Sequence, residues 1–219
     1  MKGMKMWMLA AILLCSHMSV LAQIPAEVID VMKKCDAKMD NPAGLEMDAT
    51  VKAKVLFFTL NGTLKSYMKG KKSKDIMKMK GMGMEMYEES GFDGTYDWTY
   101  KKAFGKKEKE KDSLIIKPAD KKSKEDTSID LEIYKEYKKA KMKVSGKYYE
   151  ITLTSPVKKD DPKKMIMKID KDNYNFREMW AKAGPGSMTV TVTRIKIGVS
   201  DDVFKFDPKK YPNAVVVRK

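Results

Sequence analysis

The chain has 219 residues, with 45 lysines and arginines against 30 acids and a net charge of +15. That excess favours anionic partners such as membrane surfaces and lipid head groups. His17, the single histidine, and Cys15, one of two cysteines, both fall in an N-terminal leader; what remains excludes histidine general bases, histidine triads, histidine metal sites and cysteine zinc clusters.

Residues 1–22 have the anatomy of a cleaved secretory signal. Lys2 and Lys5 make a positive start, Trp7 to Cys15 is a continuous apolar run, and Val20-Leu21-Ala22 offers a cleavage step after Ala22. The run is shorter than the roughly 20 residues a membrane span needs. Leu14 precedes Cys15 where a lipoprotein signal wants a small residue, so Cys15 reads as part of the apolar run. Removing 22 of 219 residues leaves 197, expected to form one domain over 23–219, and lowers the charge from +15 to +13. Cys35 then has no partner for an internal disulfide and reads as a packed helix residue.

Ile24 to Lys38 reads as a helix, with Val28, Val31, Met32, Cys35 and Met39 on one stripe, ended by Asn41-Pro42-Ala43-Gly44. The period then changes to two. Ala49 to Leu60 reads as a strand with Val51, Ala53, Val55 and Phe57 on one face, and Asn61-Gly62 as a two-residue hairpin turn before Thr63 to Met68. Lys74 to Glu88 is a long extended candidate, followed by Tyr96 to Phe104 and Ser113 to Lys117. Gly105 to Thr127, rich in lysine and acid, reads mostly as solvated loop, and Ile129 to Tyr137 suits either a helix or an edge strand. Ala140 to Val144 and Tyr148 to Ser155 read as a hairpin around Gly146. Lys164 to Ile169, Asn175 to Trp180 and Ser187 to Ile197 follow, with a turn at Gly184-Pro185-Gly186 before the last, and Val203 to Phe206 and Ala214 to Val217 close the chain. About ten extended segments predict a large antiparallel sheet, curved or closed, in an α+β, β-rich chain.

Methionine is the most unusual component, with 14 of 19 lying after the leader. Met77 and Met79 share one phase of a strand, and Met82, Met84 and Met86 the other; a bulge at Gly81 or Gly83 would bring both sets to one side. Met165 and Met167 form a second alternating pair. Flexible, polarisable thioethers suit a wall that adapts to acyl chains; an ordinary core under a helix and a thioether copper site are the other readings. Lys52, Lys54, Lys78 and Lys80 lie opposite the apolar faces, as a solvated outer surface would place them. Tyr96, Trp98 and Tyr100 on a basic strand would fit a base-stacking platform, which the export signal argues against. No catalytic constellation is present: Gly81-Met82-Gly83-Met84 and Gly184-Pro185-Gly186 are not phosphate loops, Asp160-Asp161-Pro162 reads as a turn, and Glu88-Glu89 has no spacing that supports glycoside chemistry.

Several segments in order resemble the LolA family of periplasmic lipoprotein carriers. An apolar helix follows the signal, then a hairpin with Gly62-Thr63-Leu64 at its return, then Phe92-Asp93-Gly94-Thr95-Tyr96-Asp97-Trp98-Thr99-Tyr100. Tyr148-Tyr149-Glu150-Ile151-Thr152-Leu153-Thr154 and a closing Val203-Phe204-Lys205-Phe206-Asp207-Pro208 complete the set, with Ala214 to Val217 as a last strand. The resemblance implies an incomplete antiparallel β-barrel, a half-barrel, with helices covering its concave face. It implies a monomeric, non-catalytic periplasmic carrier without a cofactor or nucleic acid. The implied ligands are acyl chains of lipoproteins or other lipids, and the implied partners are an inner-membrane release complex and an outer-membrane acceptor. An envelope scaffold or lipid sensor of the same fold is the alternative. The expected cavity walls are Val55, Phe57, Met77, Met79, Met84, Met86, Trp98, Tyr100, Ile151, Leu153, Met165 and Met167, with Val28 and Met32 facing them from the helix. The family holds its helical lid with an arginine in an early strand; here Lys74 to Lys80 carries lysines instead, and a lysine cannot reproduce a bidentate fork.

Overall fold

The computed structural model describes residues 24–102, 112–118 and 131–218. The leader at 1–22 and most of the charged stretch 105–127 lie outside these residues. Helix α1 (Ala26–Met39) runs from Pro25, with Glu27 in its first turn and Lys38 in its last, each of the sign that suits that end of the helix dipole. Asp30 and Lys34, one turn apart, pair at 2.8 Å on its exposed side. Val28, Val31, Met32, Cys35 and Met39 are all buried, as their spacing predicts. Burying each of the larger ones contributes about 1.5–3 kcal/mol. No helix among the described residues is long and apolar enough to cross a membrane.

The strands are β1 (Leu45–Val55), β2 (Phe58–Lys69), β3 (Lys72–Gly81), β4 (Met84–Phe92), β5 (Tyr96–Lys101), β6 (Ser113–Pro118), β7 (Tyr137–Ser145), β8 (Tyr148–Pro156), β9 (Lys164–Asp170), β10 (Phe176–Ala183), β11 (Gly186–Ile197) and β12 (Val215–Arg218). They form one sheet in the order β12-β6-β5-β4-β3-β2-β1-β11-β10-β9-β8-β7. Every pairing is antiparallel except β12 on β6, and the ends β12 and β7 do not meet. The sheet is an incomplete barrel, and α1 lies on its concave face. The ambiguous segment before β7 is a short 3₁₀ turn (Leu131–Glu136) that packs against α1.

Two turns depart from expectation. The first hairpin reverses at Leu56-Phe57, and Asn61-Gly62 lies inside β2. Gly62 is needed there for space rather than for a turn: a β-carbon would overlap the Lys78 carbonyl oxygen and meet the Met79 sulfur at 2.6 Å. The long segment Lys74 to Glu88 is two strands, reversed at Met82-Gly83, both with positive φ as a type I′ turn requires. Folding back, rather than bulging, is what brings the two methionine phases together, for Met79 pairs with Met86 across the hairpin.

After β11 the chain crosses to the other face. Ser200 caps a 3₁₀ turn (Asp201–Phe204) by accepting from the Asp202 amide, and Asp201 pairs with Lys69 and Lys72, each at 3.2 Å. The strap that follows ends in β12, anchored where the Val215 amide donates to the Asp112 carbonyl at 2.8 Å.

Candidate functional site

The register divides each strand between two faces. On the concave face, Leu45, Met47, Ala49, Val51 and Ala53 of β1 share their side with Leu64 and Leu60 of β2, Met77 and Met79 of β3, and Met86 of β4. On the other flank of β1 the same face continues through Val190, Met179, Met167 and Ile151 and through Ala181, Met165 and Leu153.

Two apolar bodies occupy this face. Under α1, Val28, Met32, Cys35, Ile151, Leu153, Met165, Met167 and Ile169 form one buried cluster. Six of the expected wall residues, Val28, Met32, Ile151, Leu153, Met165 and Met167, meet here. They are buried together as one packed cluster beneath the helix. Beside it, Ala49, Val51, Met79 and Val190 form a second, smaller cluster. Ala53, Leu60, Leu64, Met77, Met86 and Met179 pack against that cluster while remaining partly open to solvent. Met179 belongs to both bodies, so they form one continuous apolar surface. The open part is a methionine-rich strip that α1 does not cover. Sequence periodicity misses Leu60 and Leu64 because it puts the turn at Asn61-Gly62; moving the turn to Leu56-Phe57 sets both leucines in phase with Met77.

The strip has a polar neighbour. On the next row of the same face, the Ser66 hydroxyl donates to the Asp75 carboxylate. Burial pushes the Asp75 carboxyl above the ordinary carboxylate range, and the Ser66 hydrogen bond offsets only part of that rise.

Val55, Phe57, Trp98 and Tyr100, also expected in the wall, do not join this surface. Val55 and Phe57 sit at the exposed hairpin tip, because the chain turns one residue after Val55 instead of continuing as a strand. Met84 opens β4 opposite Gly81. Trp98 and Tyr100 face the other way: Trp98 pairs with Gly91 and Tyr100 with Glu89, both on the face opposite the helix. There the C-terminal strap covers them. Phe206 stacks on Trp98 at 5.5 Å, and Tyr211 lies 4.6 Å from Tyr100. The one-residue alternation of a strand decides this, since the apolar phase of β5 belongs to the outer layer and its inner phase is Asp97, Thr99 and Lys101.

The same outer layer contains a buried ion pair. Glu89, 7% exposed, binds Lys74 at 2.8 Å and accepts from the Tyr87 hydroxyl at 2.7 Å. Burial opposes its charge, but the hydrogen bonds from Lys74, Tyr87 and Tyr211 prevail and hold the carboxyl below its ordinary range. Burial and the neighbouring carboxylates raise the Tyr87, Tyr100 and Tyr211 phenols, Tyr100 to about 12. Lys74 is therefore engaged away from the helix, with no reach to a lid. Among the described residues no three His, Cys, Asp or Glu side chains converge as a metal site would need.

No protein-family model matches the chain, and no curated protein matches it. Among solved structures it is similar to an uncharacterized conserved protein from Thermus thermophilus, with TM-score 0.53 and 11% identity over 88% of this chain and 99% of that one. That likeness is one of fold. The similar structures include a LolA superfamily protein from Nitrosomonas europaea, with TM-score 0.38 and 8% identity over 82% of this chain and 97% of that one. They also include the Mycobacterium tuberculosis lipoprotein LppX, with TM-score 0.40 and 10% identity over 80% and 98%.

Proposed function

We propose that the protein is an exported, non-catalytic binder of acyl chains, working as a periplasmic carrier that shields lipid or lipoprotein acyl groups on passage between membranes. The observation that carries this reading is the partly open strip of Leu60, Leu64, Met77, Met86 and Met179 beside the buried core. Each methylene kept from water is worth about 0.8 kcal/mol, so a partly open apolar surface gains most from a long unbranched chain. Thioethers can repack around chains of different length. The Ser66–Asp75 pair gives the strip a hydrogen-bonding margin suited to a polar head. The packing beneath α1 moves the proposed site to the strip, with α1 as its wall instead of its lid.

That same packing favours a second reading, an envelope scaffold whose sheet simply supports a helix. Displacement of a fluorescent long-chain fatty acid separates the two. Under the carrier reading the probe binds, and Met77→Glu or Met86→Glu weakens it by about tenfold or more, since each places a charge on the apolar strip. A scaffold binds no probe, and in that case the carrier reading fails.

A further inference from the structure

The apolar end of the barrel wall carries a second surface, and it is the reverse of a cavity. At the β1–β2 hairpin tip, Leu56 is 66% exposed and Phe57 95% exposed, with Val55 and Phe58 also open on either side. Four consecutive large apolar residues in water are the opposite of what a hairpin tip requires. The backbone sharpens the point. Leu56 has φ +53°, a position where glycine, asparagine or aspartate is at ease and a leucine is strained. The neighbouring β3–β4 tip repeats the pattern: Met82 has φ +55° and is 57% exposed. Residues that break a local rule at a cost to folding mark a functional surface.

The two tips lie at the same end of the sheet. Val55 pairs with Phe58, Asn61 of the same strand pairs with Lys80, and Gly81 pairs with Met84 just before and after Met82-Gly83. Lysines surround them. Lys54, Lys182 and Lys164 form a row across β1, β10 and β9 with Ser187 of β11 between the first two, and Lys52 stands one pleat behind. All four are exposed, and none has an ion pair among the described residues. Lys80, beside Met82, is offset by Glu85 at 2.5 Å. Apolar side chains projecting from a cationic end complement one environment well: the tips enter the acyl boundary while the lysines meet anionic head groups.

We propose that this end of the protein docks on the surface of an anionic lipid bilayer, with Leu56, Phe57 and Met82 as the inserting residues and Lys52, Lys54, Lys164 and Lys182 as the electrostatic collar. The inference stands on the tips alone and does not need the strip to bind acyl chains. A surface of this kind delivers or collects an amphiphile at a membrane without a protein receptor.

The test is flotation of the purified protein with phosphatidylcholine vesicles, with and without one quarter phosphatidylglycerol. The protein should float with the anionic vesicles, several-fold less with the zwitterionic ones, and less again when salt is raised from about 0.1 to about 0.5 M. Phe57→Ser together with Leu56→Gly should reduce flotation by about tenfold or more. Leu56→Gly removes the strained side chain, so its melting temperature should stay level or rise, which separates lost docking from lost folding. Lys54→Glu with Lys182→Glu should abolish the preference for anionic vesicles. Flotation unchanged in the tip variant overturns the proposal. So does equal flotation with both vesicle types, or sedimentation showing that the tips join two copies of the chain and that the tip variant is monomeric.

Discussion

Asp75 and Glu89 are both shielded carboxylates on neighbouring strands, yet their environments push them in opposite directions. Among the described residues Asp75 has the Ser66 hydroxyl as donor and no paired cation, so burial dominates and its carboxyl is raised. Glu89 has an ammonium and phenols, so its charge is favoured despite burial. The consequence of a raised folded-state value is that the native state holds its proton longer than the unfolded chain. The contribution of Asp75 is fully present below the unfolded value of about 4 and is lost as pH rises through the raised native value. Asp75→Asn keeps a partner for Ser66 and removes the charge. Its melting temperature should equal that of the parent in acid and exceed it at neutral pH; a variant less stable than the parent at about pH 7 would refute this account. Gly62 shows the residue scale in steric form. The dipeptide Asn61-Gly62 carries the composition of a turn, but the glycine serves the close passage of β3 beside β2, which no local signal distinguishes from a turn preference.

At the scale of the element, α1 is the part whose behaviour decides between a lid and a wall. Its apolar stripe is complete in the sequence, and all five stripe residues are buried as the period of 3.6 requires. Cys35 sits in the middle of that stripe, free and buried, and burial pushes its thiol up to about 12. A thiol so placed reacts only when the helix lifts. Mass-spectrometric tracking of alkylation at about pH 8 should find the Cys35 peptide protected in the native protein and rapidly modified in denaturant. If long-chain fatty acid accelerates native labelling, α1 moves on binding and functions as a lid after all; protection unchanged by ligand is the outcome expected of a wall. The hairpins behave differently from the helix. Strand existence is legible from alternation, and so are the turns at Gly146 and Gly184-Pro185, but the turns at Leu56-Phe57 and Met82-Gly83 are not, since Leu56, Phe57 and Met82 are apolar residues where turn chemistry expects Asn, Asp or Gly.

For the whole molecule, the sheet is closed over by two pieces of unlike origin: α1 from the start of the fold on the concave face, and the strap after β11 on the other. The strap is bound through Asp201 to Lys69 and Lys72, through Phe206 and Tyr211 to Trp98 and Tyr100, and through Tyr211 to Glu89. Lys74 lies beneath that assembly, 5.7 Å from the Trp98 ring centre and paired with Glu89. Lys74→Met leaves Glu89 buried without its cation and should cost about 3–5 kcal/mol in urea unfolding. Adding Glu89→Gln should recover much of it, and a double variant no better than the single one would dismiss the pair as the cause. Acid should act in the same place. The stabilisation from Glu89 is present above its unfolded value of about 4.3 and is lost as pH falls through its lowered native value.

The sequence by itself determined the kind of elements and their order: one amphipathic helix, then strands of period two, with lysines on the solvent side and a cysteine committed to packing. These follow from local periodicity, which any short window of chain contains. The resemblance to the LolA family extended this to an incomplete barrel. Only the tertiary structure decided which face each strand turns inward, because a single residue's shift in a turn exchanges the two faces of everything beyond it. That is why Trp98 and Tyr100, expected in a cavity, lie under the strap, while Leu60 and Leu64 join Met77 and Met86 on the concave side. It is also why Ile151, Leu153, Met165 and Met167 pack with Val28 and Met32 of α1: which side chains meet beneath a helix depends on how the strands curve together, and no window of sequence contains that distance.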